Sequence, residues 1–207
     1  MALDYKKTEK ALYQPSTQPE LVMVPEMRFL LVDGHGDPNT SAEYAAALAA
    51  LFGLSYTIKM SHKDQLDYVV LPLEGFWSQD PGEEDGSVAD LDKSRFSWTA
   101  AIRQPDFITV EILTEARATL AKKKPTVQTD LVRLEHLTEG LCVQALHLGP
   151  FDSENATLQR LEQFCQDQGL QIDLTAERRH HEIYLSDFRK TAPDKLKTIL
   201  RQPVRAA

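Results

Sequence analysis

Met27-Arg28-Phe29-Leu30-Leu31-Val32-Asp33-Gly34-His35-Gly36-Asp37-Pro38 reads as a short apolar strand closed by a turn, because branched and aromatic side chains give way to two glycines and a proline. Just beyond it, Asn39, Thr40 and Ser41 supply helix-capping oxygens, and the alanine- and leucine-rich run Glu43 to Leu51 predicts a helix ending around Gly53 or a few residues later. Leu66 to Leu73 predicts a second strand, Gln79 to Asp92 a charged loop, and Arg95 to Ile102 a third strand. Thr109 to Lys123 places Val110, Leu113, Ala116 and Leu120 at helical spacing, with lysines at its end and Pro125 as a stop.

The same order then begins again. Leu131 to Leu137 and Leu141 to Leu148 read as strands around a Thr138-Glu139-Gly140 turn, and Gly149-Pro150-Phe151-Asp152 punctuates the chain much as Gly36-Asp37-Pro38 does. Asp152 or Ser153 can cap a helix in which Leu158, Leu161 and Cys165 share a face, with Gly169 at its end. Arg179 to Ser186 is a closing strand, and Thr191 caps an expected last helix with Leu196, Ile199 and Leu200 turned inward. The expected fold is α+β: two pseudo-repeated strand-helix-strand-strand halves, residues 21–125 and 126–207, forming a curved antiparallel sheet with helices on one face and a ligand pocket between the halves. Residues 1–20, with Pro15 and Pro19, read as an N-terminal extension of short helix or coil and linker, to which no chemistry is assigned.

With 207 residues, 42% hydrophobic and 26% charged, the chain is globular in composition and long enough for a sizeable core. A formal charge of -8 works against non-specific attraction to nucleic acid, and Lys122 to Lys124 and Arg178-Arg179 read as a helix C-terminus and a solvated strand edge. No apolar run approaches the roughly 20 residues that span a bilayer, and the charged N-terminus carries no signal-peptide pattern, so a cytoplasmic location without membrane contact is expected. Cys142 and Cys165 lie in apolar, regularly patterned segments and are expected as reduced core thiols.

Chemistry concentrates in His180-His181-Glu182-Ile183-Tyr184. Strand alternation puts His180, Glu182 and Tyr184 on one face, a carboxylate two residues from a phenol that suits ligand binding or proton transfer or forms a solvated polar strand face, and leaves His181, Ile183 and Leu185 to pack beneath helices. Glu74 ends the apolar strand from Leu66 and precedes Gly75-Phe76-Trp77, an aromatic setting that suits a general acid or base, the alternative being a strand-end carboxylate in water; Tyr68 shares its face by alternation. Trp77 and Trp98 can wall an aromatic pocket or fill the core. His180 and Glu182 lack a third ligand at metal spacing, so no metal is expected, and no dinucleotide fingerprint, phosphate loop or nucleophile elbow occurs.

Several separated stretches, in order, resemble stand-alone GyrI-like small-molecule-binding proteins: residues 30–39, 55–60, Pro72-Leu73-Glu74-Gly75, residues 102–107, and His180 through Asp187 followed by Arg189-Lys190-Thr191-Ala192-Pro193. The resemblance runs from about Asp4 to Val204. It implies a pocket between two halves of a curved sheet, and in some stand-alone members hydrolysis of the cyclopropane of DNA-alkylating natural products. For those, it implies catalysis by glutamates that match Glu74 and Glu182, with aromatic neighbours positioning the ligand; in an enzyme of this kind Tyr184 is expected to hydrogen-bond the ligand, and Tyr68, Trp77, Trp98 and His180 to contact it. Phe188 stands where the family pattern has proline, and Ser78 where a second tryptophan is common.

Three functions follow from this reading: a cyclopropanoid hydrolase, a protein that sequesters or senses a drug, and a gyrase-modulating interaction protein. The expected partner is a hydrophobic aromatic or cationic small molecule, with no cofactor and no direct nucleic acid, and a homodimer stays open. The first 20 residues are too short for a helix-turn-helix.

Overall fold

The run Phe29-Leu30-Leu31-Val32 has no polar alternation because its strand is covered on both faces: Phe29 and Leu31 belong to one buried cluster, Leu30 and Val32 to another. In the computed structural model, which describes residues 2–79 and 93–207, this strand is β1 (Glu20–His35). The other strands are β2 (Glu74–Gln79), β3 (Phe96–Gln104), β4 (Arg133–Leu148), β5 (Leu170–Ile172), β6 (His180–Tyr184) and β7 (Lys197–Ala206). The helices are α1 (Tyr5–Thr8), α2 (Lys10–Tyr13), α3 (Ala42–His62), α4 (Val110–Lys123) and α5 (Asn155–Asp167).

The sheet runs β4-β1-β3-β2-β6-β7, every pairing antiparallel, and β7 pairs back onto β4 from Cys142↔Pro203 to Leu148↔Lys197. The curved sheet therefore closes into a six-stranded barrel, and β5 adds to β7 at one end. Closure removes the free edges that an open sheet would expose. Met27, Phe29, Leu31, Phe76, Cys142, Ile183 and Ile199 fill the interior. The helices pack outside. α3 and α4 bury Leu48, Leu51, Leu54, Leu113 and Leu120 with Leu30, Val32 and Ile102 of β1 and β3, while α5 buries Leu161 and Cys165 on Val143 and Leu200 of β4 and β7. Ser41 caps α3 by accepting from the Tyr44 N–H at 3.1 Å, and Thr109 caps α4 through the Ile112 N–H at 3.4 Å.

Four expectations are corrected. The helix expected after Thr191 is a short turn followed by β7: Ile199 packs inside the barrel and Leu200 beneath α5, so the apolar spacing that suits a helix face here serves the two faces of a strand. The two strands around Thr138-Glu139-Gly140 are the single strand β4, in which Gly140 takes φ +71, a conformation glycine allows. Leu66 to Leu73 lies outside the barrel ladders, with Tyr68 alone bridging to Leu3; Pro72 has no N–H to donate to a ladder, and β2 begins at Glu74. The first helix continues past Gly53 to His62, because Leu54 and Ile58 extend its buried face. Beyond Gln79, the charged loop expected to Asp92 lies outside the described residues.

The N-terminal segment joins the barrel. Leu12 and Tyr13 are buried in the interior cluster, and Arg201 Nη2 donates to the Leu12 carbonyl at 2.7 Å while Gln144 Nε2 donates to that of Ala11 at 2.6 Å. Side chains of this size contribute roughly 1.5–3 kcal/mol each when fully buried. Among the described residues no helix is long and apolar enough to cross a membrane.

Candidate functional site on the outer face of the barrel

Directly opposed residues of an antiparallel pair share a face. β2 and β6 pair as Glu74↔Ile183, Gly75↔Glu182, Phe76↔His181 and Trp77↔His180. Gly75, Trp77, His180, Glu182 and Tyr184 thus project outward, and Glu74, Phe76, His181 and Ile183 project into the barrel. Glu74 and Glu182 do not meet, which corrects the expectation of two carboxylates in one pocket. The face expected to pack beneath helices, that of His181 and Ile183, is instead the barrel lining.

On the outer face the Tyr184 hydroxyl donates to Glu182 Oε2 at 2.7 Å and accepts from Trp77 Nε1–H at 3.1 Å. A second hydrogen bond joins His180 Nε2 to Glu182 Oε1 at 3.2 Å. Burial, and then the Glu182 charge, push the Tyr184 phenol well above its usual value, so it keeps its proton and remains a donor. Gly75, opposite Glu182, makes this contact possible: a Cβ there would lie 2.6 Å from Trp77 Nε1 and 3.0 Å from the Tyr184 hydroxyl.

Aromatic rings pack on Tyr184 and Trp77, the residues that hold the carboxylate. Phe151, in the turn before α5, and Phe188 each lie 5.8 Å from the Tyr184 ring, edge to face. Tyr44 of α3 lies 6.2 Å from Trp77, and Phe96 of β3 lies 5.8 Å from it. Burial and the Glu182 charge raise the Tyr44 phenol as well. Glu154, buried just ahead of α5, adds a further negative charge that bears on Tyr184. The Glu182 side chain itself is 15% exposed, so the carboxylate is reachable yet mostly shielded from water.

The other expected residues lie elsewhere. Trp98 is buried beside Tyr44 at 4.9 Å, and its ring covers Gly34, where a Cβ would stand 2.2 Å from it; it fills the core beneath α3. Tyr68 is buried against Phe107 at 5.9 Å, with its hydroxyl 3.4 Å from the Ser55 carbonyl.

Glu74, fully buried, belongs to a charged layer inside the barrel. His181 Nε2 donates to its Oε2 at 2.9 Å, and Tyr13 donates to its Oε1 at 3.4 Å. His181 Nδ1 lies 3.0 Å from both oxygens of Glu139, which also pairs with Arg201 at 3.4 Å. Burial opposes charge on His181, but Glu139 and Glu74 outweigh it and raise its pKa; burial likewise opposes charge on Glu139, but His181 and Arg201 outweigh it and lower its pKa to about 2. Two carboxylates accepting from one ring make His181 an imidazolium, a compensated interior ion rather than a ligand site.

Sequence reasoning missed Tyr44, Gly75, Phe151, Glu154 and Phe188. Only Gly75 and Phe151 carried a local signal, a small residue before an aromatic pair and a ring in a Gly-Pro turn. An open hollow lined by Arg117, Ala121, Pro125 and Leu131 lies at the end of α4 and shares no residue with the Glu182 cluster. Among the described residues no group of three or more His, Cys, Asp or Glu side chains is arranged to hold a metal ion.

A closed antiparallel barrel flanked by helices, with a shielded carboxylate in an aromatic surround on its outer face, has the chemistry of a small-molecule-binding domain. The chain belongs to the GyrI-like family: the model of the GyrI-like small molecule binding domain matches residues 17–205. Among solved structures it is similar to an uncharacterized conserved protein from Listeria innocua, 47% identical, with 98% of this chain and 100% of that chain covered and a TM-score of 0.91. It is also similar to a hydrolase from Listeria innocua, 46% identical over 98% of this chain and 100% of that one, with a TM-score of 0.88. The EcmrR C-terminal domain, 14% identical over 92% of this chain and 98% of that one, with a TM-score of 0.55, shares the fold. No curated protein matches the chain.

Proposed function

We propose that this protein binds a hydrophobic aromatic or cationic small molecule against the Glu182 face and hydrolyses it, opening the cyclopropane of a DNA-alkylating cyclopropanoid compound and so detoxifying it. The observation that carries this reading is Glu182 itself, a shielded carboxylate held on both oxygens by Tyr184 and His180 among aromatic rings. Rings of this kind offer flat apolar area to a planar ligand and stabilise positive charge near the carboxylate. The 46% identical structure described as a hydrolase supports a catalytic rather than a purely binding role.

In the reaction, the oxygen of a water beside the His180–Glu182 pair bonds to a cyclopropane carbon and a ring C–C bond breaks. The electron pair passes to the conjugated carbonyl oxygen, which gains a proton, so the product is substrate plus one water. Tyr184 supports the carboxylate and not the ligand carbonyl, because its proton is directed at Glu182. Glu74 acts from the interior, holding β2 against β6 through His181.

The test is incubation with a cyclopropane-containing alkylator followed by mass spectrometry. Gain of one water with multiple turnovers, lost in Glu182→Gln, is expected. Stoichiometric binding of unchanged compound would instead identify a sequestering or sensing protein.

A further inference from the structure

Glu182 has both oxygens engaged, Oε2 by Tyr184 at 2.7 Å and Oε1 by His180 Nε2 at 3.2 Å. A carboxylate only accepts, so in a neutral His180 ring Nε2 carries the proton and Nδ1 the lone pair. That Nδ1 is buried and has no hydrogen-bond partner among the described residues. Buried polar atoms are rarely left so.

We infer that His180 is the base of this site and Glu182 the carboxylate that orients it, an inference that rests on the hydrolase reading above. One ring nitrogen held by a carboxylate, which fixes the tautomer and stabilises the imidazolium, with the other facing the reaction, is the arrangement in which imidazole takes a proton. Water gives a proton to Nδ1 as its oxygen bonds to the cyclopropane carbon. The ring C–C bond breaks with its electron pair passing to the conjugated carbonyl oxygen. That oxygen then takes the proton from Nδ1, and His180 is neutral again.

Tyr184 and Tyr44, the nearby phenols, are both raised and do not compete as bases. Nδ1 is buried in the structure, and catalytic hydrogen bonds commonly form only once ligand is in place.

The test follows water addition to a cyclopropane-containing alkylator in His180→Gln and His180→Ala. The glutamine amide keeps an N–H for Glu182 but has no basic nitrogen. His180→Gln is expected to lower kcat by about 10²-fold or more with ligand affinity, read from tryptophan fluorescence, unchanged. Free imidazole is expected to restore turnover to His180→Ala. Wild-type kcat in His180→Gln would overturn the inference and leave the hydrolase reading standing. So would an Nδ1–H tautomer for neutral His180 in 15N NMR spectra of the wild-type protein, a measurement that needs no turnover. Absence of turnover in the wild type would remove the hydrolase reading and this inference with it.

Discussion

Trp77 donates its indole N–H to the Tyr184 hydroxyl at 3.1 Å, across the β2–β6 pair, and so fixes where the tyrosine proton goes. With its acceptor position filled, Tyr184 donates to Glu182 at 2.7 Å. The carboxylate is thereby held by a chain that begins on another strand. The absent side chain of Gly75 leaves the space in which the chain closes.

Gly75→Ala therefore separates the Trp77–Tyr184 contact, since its methyl would stand 2.6 Å from Trp77 Nε1. Overpacking of this kind costs about 1–3 kcal/mol. A lowered denaturant midpoint and a shifted tryptophan emission are the expected outcomes, together with weakened ligand binding. Unchanged emission and affinity would show that the indole is not held by this contact.

Tyr184→Phe keeps the ring between Phe151 and Phe188 but removes the donor to Glu182. Hydrogen bonds to charged groups contribute about 1.5–3 kcal/mol, so turnover is expected to fall by about 10- to 10²-fold. Trp77→Phe, which acts on Glu182 only through Tyr184, should cost less. Steady-state rates for the two variants test the order.

Glu74→Gln and Glu182→Gln are expected to fail differently. Removing one partner of a buried ion pair costs about 3–5 kcal/mol, and Glu74 meets His181 inside the barrel. Its variant should lose thermal stability while folded molecules retain ligand affinity. Glu182→Gln should keep stability closer to the wild type and lose turnover. Calorimetry beside fluorescence titration distinguishes them, and equal loss of affinity in both would contradict the two-face arrangement.

Stability should fall on both sides of neutrality. Glu139 has a folded pKa of about 2 against an ordinary 4.5, so its contribution is present above about 4.5 and is lost as pH falls towards about 2. That shift corresponds to a contribution on the order of 3 kcal/mol, shared with the His181 and Arg201 that cause it. His181 has a raised folded pKa, so its contribution is full below the ordinary 6.5 and is lost as pH rises from there through the folded value. Urea midpoints across this range should show both limbs, and His181→Gln should abolish the alkaline one.

Local pattern was enough for the segments whose signal lies within them. Alternation along β6 puts His180, Glu182 and Tyr184 on one face without any knowledge of its neighbours. The caps at Ser41 and Thr109 and the spacing of Leu113, Ala116 and Leu120 likewise define α3 and α4 from within. Leu196, Ile199 and Leu200 show the limit, since their spacing fits a helix face and the two faces of a strand alike. Pairing with β4 decided for the strand.

What the sequence by itself determined is the set of strands and helices with strong internal period, the family resemblance and the grouping of His180, Glu182 and Tyr184 on one strand face. Tertiary structure alone decided that the sheet closes, that Glu74 turns inward to His181 while Glu182 turns outward, and that Phe151 and Phe188 meet Tyr184 and Tyr44 meets Trp77. The reason is physical: period sets which residues of one strand share a face, but which two strands pair, and in which register, depends on contacts between distant segments. A shift of one residue between β2 and β6 would exchange the faces of Glu74 and Gly75, and with them the interior ion and the space beside Glu182.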